Sequence, residues 1–136
     1  MRRGWSALWA PLLLACASDH GANASGLERV PNGEWGGRHA RLSVSDEGAK
    51  VELDCAHGAV ESPLQLDAEG RFDVAGRLVL EGGPEREGVE DPGRPVRYAG
   101  RTDGRDLTLE IVFEGGRRQG PFRLGLGRPP RLFKCQ

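Results

Sequence analysis

From Ala40 to Leu126 the chain repeatedly alternates apolar and polar side chains with a period of two, and no stretch presents a helical face of ten residues. Ala40, Leu42 and Val44 alternate with Arg41 and Ser43, and Val51, Leu53 and Cys55 with Glu52 and Asp54. Phe72, Val74, Leu78 and Leu80 share one phase, with Arg71, Asp73 and Arg77 on the other. Leu107, Leu109, Ile111 and Phe113 alternate with Thr108 and Glu110. Successive side chains of a strand point to opposite faces, so this pattern predicts half-buried antiparallel strands. Further strands are expected around Leu64 and Leu66, over Val96–Thr102 and Phe122–Leu126, and near Leu132–Cys135. Acid-glycine turns such as Ser45-Asp46-Glu47-Gly48 and Thr102-Asp103-Gly104-Arg105 separate several of them.

Eight short strands joined mostly by hairpins form a meander, which buries its apolar face most economically by closing into an up-and-down barrel. A two-sheet sandwich satisfies the same alternation. Gly76 and Gly100 fall on the inward phase, where glycine permits the sharp coiling that closure requires. The inward residues Leu53, Val74, Tyr98, Leu109 and Phe122 would line a cavity if the barrel holds a small apolar ligand. If the interior is filled, a protein partner would meet the sheet faces and the long connection Glu81–Arg94, rich in glycine, proline and acid.

The N-terminus points to export. Arg2 and Arg3 precede an apolar run of about 11 residues, Trp5 to Ala15, well short of the ~20 that span a bilayer. Leu13-Leu14-Ala15-Cys16 resembles the bacterial lipobox, which implies that Cys16 is acylated and becomes the first mature residue. Cleavage after Ala17 by an ordinary signal peptidase is the alternative. By the same resemblance, Ala17 directly after the cysteine favours the outer membrane; the soluble alternative is periplasmic or secreted. The expected organisation is a signal peptide over 1–15, a flexible tether over 16–33 and a single β-barrel domain over 34–136.

Either cleavage leaves Cys55 and Cys135 in an oxidising compartment, where a disulfide is the simplest expectation. It would close a loop of some 80 residues, worth roughly 4.5 kcal/mol in the chain-entropy model. Removing Arg2 and Arg3 leaves 17 basic against 20 acidic residues, so the mature chain has no basic excess for nucleic acid or an anionic membrane.

Asp54, Cys55 and His57 lie within four residues, and on a strand Cys55 and His57 would share a face. A cysteine–histidine pair suggests a nucleophile with its base, or a zinc site completed by Cys135. No orienting residue or fourth ligand is evident, and a disulfide beside a strand-end histidine accounts for the same residues. Arg77, Arg97, Arg101 and Arg123, with Glu110 among them, form a guanidinium stripe that suits phosphate or carboxylate. Cross-strand charge pairing on a solvated face is the simpler account.

Gly33-Glu34-Trp35 resembles the G-x-W start of the lipocalins, whose eight-stranded barrels hold apolar ligands. More broadly, Trp35-Gly36-Gly37, Asp54-Cys55-Ala56-His57-Gly58 and Phe133-Lys134-Cys135 resemble a group of small exported bacterial proteins, a likeness that brings no activity with it. The expectation is a non-enzymatic envelope protein without a cofactor, anchored to the membrane by lipid, that binds a small apolar ligand or a protein partner. The alternative is a zinc site or enzyme centred on Cys55 and His57.

Overall fold

Eight antiparallel strands close into one barrel in strict sequence order, in a computed structural model that describes residues 26–82 and 91–135. They are β1 Gly33–Gly37, β2 Ala40–Val44, β3 Ala49–Leu53, β4 Ala56–Val60, β5 Arg71–Leu80, β6 Arg94–Thr102, β7 Asp106–Phe113 and β8 Arg118–Leu126. The barrel, and not the sandwich, is the architecture.

Two of these strands differ from those the alternation suggests. β1 reads Gly-Glu-Trp-Gly-Gly and β4 Ala-His-Gly-Ala-Val, so neither carries enough bulky side chains to display a period of two. Both are nevertheless paired on each side, β1 with β2 and β8, β4 with β3 and β5. Leu64 and Leu66 lie instead in the β4–β5 connection. There Val30 N–H donates to the Leu64 carbonyl and Leu66 N–H to the Glu28 carbonyl, each at 2.9 Å. Val30 is fully buried, and the Trp35 indole donates to the Pro31 carbonyl at 3.0 Å. The expected tether over 16–33 therefore cannot run that far: its last residues dock against the barrel because Val30 has an apolar site to fill.

The segment after β8 is not a strand either. It turns back at Gly127 and runs over the outside of β1 as a strap. Arg131 N–H donates to the Gly37 carbonyl and His39 N–H to the Arg131 carbonyl, at 2.9 and 2.8 Å. Gly36 and Gly125 are register partners, and a Cβ on Gly36 would overlap the Arg128 carbonyl, so this glycine pair is the flat seat on which the strap rests.

Inside, Trp35, Tyr98, Leu42, Leu109 and Ile111 are nearly or fully inaccessible and share one apolar cluster. The two inward glycines make room for aromatic rings. A Cβ on Gly76 would stand 2.6 Å from the Tyr98 ring, and one on Gly100 the same distance from the Phe72 ring. The five residues expected to line a ligand cavity belong to this packing: Leu53, Tyr98 and Leu109 are buried within it, and Val74 and Phe122 pack against it. Leu53, Tyr98 and Leu109 are core, because a barrel of eight short strands is narrow enough for its own Trp, Tyr and Phe to fill.

Candidate functional site

A groove with an apolar floor lies on the outer wall of β2–β5. Side chains that point away from the core there fall in cross-strand rows. One row runs Arg41, Glu52, His57, Val79, and the next runs Ser43, Lys50, Ala59, Arg77, Pro95. With Glu61, Ala75 and Pro92 they line an open groove of about 790 Å³. Its floor is apolar, formed by Ala59, Ala75, Val79, Pro92 and Pro95, and its rim is charged. The floor exists because β5 breaks its own pattern: the outward phase Arg71, Asp73, Ala75, Arg77, Val79 places two apolar residues on the solvent side. That interruption was readable in the sequence and is the signal that marks the groove.

Several contacts fix the rim. Arg77 donates to the Gly93 carbonyl at 3.0 Å, and Gly93, at φ 78°, donates its N–H to the Asp91 carboxylate at 2.8 Å. Together they hold the start of β6, and Pro92 with it, against the groove. A chain of charges closes the other end: Arg41–Glu52 at 3.3 Å, Glu52–Lys134 at 3.4 Å, Lys134–Glu81 at 3.1 Å and Glu81–His57 at 3.6 Å. Burial opposes the charged form of Lys134, but Glu81 and Glu52 outweigh it and hold the amine above its ordinary value. Lys134 also donates to the Leu53 carbonyl at 2.9 Å, so the strap that covers β1 contributes a cation to the groove's edge.

Beside this chain, His39 Nδ1 lies 2.6 Å from Asp54 Oδ2, and the other Asp54 oxygen accepts the Phe133 N–H at 2.8 Å. The Phe133 ring leans on the imidazole, centroids 5.4 Å apart. His39 sits in the two-residue β1–β2 hairpin at φ 72°, in the left-handed region. This pair is a clamp between hairpin, β3–β4 turn and strap, and no local spacing in the sequence joins its members.

The remaining sequence candidates fall as follows. Cys55 and Cys135 form a disulfide with Cα atoms 5.1 Å apart. The alternative that paired Cys55 with His57, as nucleophile and base or as zinc ligands with Cys135, is overturned, since a disulfide sulfur supplies no thiolate. Cys55 also sits in the β3–β4 turn and not on a strand, so it shares no strand face with His57. Cys16 and residues 83–90 of the Glu81–Arg94 connection lie outside the described residues. In the guanidinium stripe, Arg97 pairs with Asp73 and Arg118 with Glu110, each at 2.6 Å, while Arg77 is engaged by Gly93. Among the described residues Arg101 and Arg123 form no ion pair. Comparison of the chain with protein-family models, with curated proteins and with solved structures finds no match.

Proposed function

We propose that this chain is a non-enzymatic protein of the cell envelope, exported and held by a lipid on Cys16, whose β2–β5 groove takes up a segment of a partner protein. The observation that carries this reading is the apolar floor of Ala59, Ala75, Val79, Pro92 and Pro95 inside a charged rim. The groove is open along one side, whereas a site for a free small molecule encloses most of its ligand. An occupant that stays half in solvent and adds contacts beyond the groove is a stretch of a larger molecule. The disulfide accords with an oxidising compartment, and the short apolar N-terminal run with an export signal.

The test places a photo-crosslinking residue at Ala75 or Val79 in cells of the native host, with the same residue at Arg117 as the control site. A discrete adduct from the groove positions, absent from the control and lost in Ala59→Arg, is expected. Equal labelling from both sites, or an adduct insensitive to Ala59→Arg, overturns the groove assignment. Metabolic labelling with a fatty-acid analogue examines the anchor separately, with label expected in the native chain and none in Cys16→Ser.

A further inference from the structure

On the wall next to this groove, β5 and β6 bring two arginines face to face. Arg71 and Arg101 are direct register partners, and Thr108 is the partner of Arg101 on its other side. Residues directly opposite each other on an antiparallel pair have Cβ atoms about 5 Å apart, and like charges placed so repel. Both side chains are exposed, and among the described residues neither forms an ion pair.

The carboxylates nearby are already committed. Asp73 is held by Arg97 and Glu110 by Arg118, each at 2.6 Å. Asp67 accepts the backbone N–H groups of Arg71 and Glu69 at 2.9 Å, and those bonds, with the charge of the nearby Arg71 guanidinium, keep its carboxyl below the usual range. Of the two arginines, Arg71 lies close enough to the exposed Asp67 to feel its charge, and Arg101 is the one with no carboxylate partner among the described residues. The pair's surplus charge is therefore positive. It lies in a groove of about 1180 Å³ that the β4–β5 connection walls with Ser62 and Gln65, over a floor that includes Ala75 and Ala99.

We infer that this groove is a binding site for a phosphate monoester, its dianionic head between Arg71 and Arg101 and its organic part over Ala75 and Ala99. Two facing guanidiniums suit a dianion, whereas a carboxylate neutralises only one of them. Guanidinium forks also engage tetrahedral oxyanions with two parallel hydrogen bonds each. Thr108, Ser62 and Gln65 offer neutral donors around the same point. A bound phosphate would turn the repulsion across the β5–β6 ladder into attraction. This inference stands apart from the partner-binding groove and shares only Ala75 with it.

Calorimetric titration of the exported domain with glucose 6-phosphate and with inorganic phosphate, at constant ionic strength, tests it. Vesicles with and without phosphatidic acid form the second arm, separating a soluble ester from a lipid headgroup. Binding is expected in at least one arm, weakened tenfold or more in Arg101→Gln and Arg71→Gln and unchanged in Arg117→Gln. Arg101→Gln should melt no lower than the native chain, because it removes one of two opposed like charges. Arg101→Lys keeps the charge and the fold but loses the fork, and should weaken binding severalfold. Absence of binding in both arms overturns the site, as does binding that survives Arg71→Gln and Arg101→Gln unaltered.

Discussion

The Tyr98 hydroxyl reaches the Arg77 carbonyl at 2.6 Å through space that two glycines leave empty. A Cβ on Gly58 would overlap that hydroxyl, and one on Gly76 would press the ring. Burial also pushes the phenol's pKa upward, so it stays a donor across the working pH range. Gly58→Ala should cost about 1–3 kcal/mol by overpacking, and Tyr98→Phe a similar amount by leaving the Arg77 carbonyl unpaired. The double variant should cost less than the two added together, since the deleted hydroxyl is one of the two groups the new methyl meets, the Arg77 carbonyl being the other; denaturant titration of all three gives the coupling. Additive costs would mean that Gly58 makes room for the Arg77 carbonyl and not for the Tyr98 hydroxyl.

Asp103 works at the same scale. Its carboxylate accepts the N–H groups of Asp106 and Arg105 at 2.8 Å, which lowers its pKa below the ordinary 3.8. A carboxyl whose folded pKa is depressed stabilises fully above its unfolded value and loses that contribution as pH falls through the folded one. Asp103→Asn keeps an acceptor oxygen and removes the charge. It should melt a few degrees below the native chain at neutral pH, with the gap closing in acid well below 3.8. A gap that persists in acid would trace the stabilisation to shape alone.

Elements differ in how plainly the sequence announces them. β5 and β7 carry Phe, Val, Leu and Ile on one phase, and the alternation places both correctly. β1 and β4 escape because what matters in them is the lack of a side chain: Gly36 and Gly37 lie under other backbone, and Gly58 yields to Tyr98. A glycine looks the same in sequence whether it frees a turn or receives a neighbour, and only the third dimension separates the two. The strap is illegible for a similar reason, since Leu132 and Phe133 read as a strand but lie outside any strand, next to the bridge Arg38↔Arg131. The phosphate groove was half visible. Arg101 stood in the stripe, but its register partner Arg71 is far away along the chain. Gly36→Ala probes the element directly. A methyl there displaces the strap, so stability should fall by about 1–3 kcal/mol, and the Arg131 amide should exchange with solvent faster than in the native chain.

For the molecule as a whole, the closing seam is its shortest. β1 meets β8 over Trp35–Gly37 alone, whereas β5 meets β6 from Arg71 to Leu78. The strap crosses β1, and the Cys55–Cys135 bond fastens it to the β3–β4 turn beyond. The bond thus clasps the barrel over the place where its ladder is thinnest. Reduction, or Cys55→Ser with Cys135→Ser, should release roughly 4–5 kcal/mol of loop-closure stabilisation and lower the melting temperature by on the order of 20 °C. Calorimetry with and without reductant measures this, and a shift of only a few degrees would mean that the strap is held by its hydrogen bonds.

The same clasp divides the chain mechanically. Residues 55–135 form a covalent ring that contains β4 to β8, while β1, β2 and β3 hang outside it on the side that leads to Cys16. A pull from the N-terminal side is thus borne first by the strands outside the ring. They can peel from beneath the strap, but the extension ends at Cys55. The oxidised domain should lengthen by about 100 Å for residues 26–55, against nearly 400 Å for the reduced chain pulled to its last residue. The disulfide acts as a stop, so that β4 to β8, with the Arg71–Arg101 groove, are shielded from tension while the wall bearing the other groove gives way.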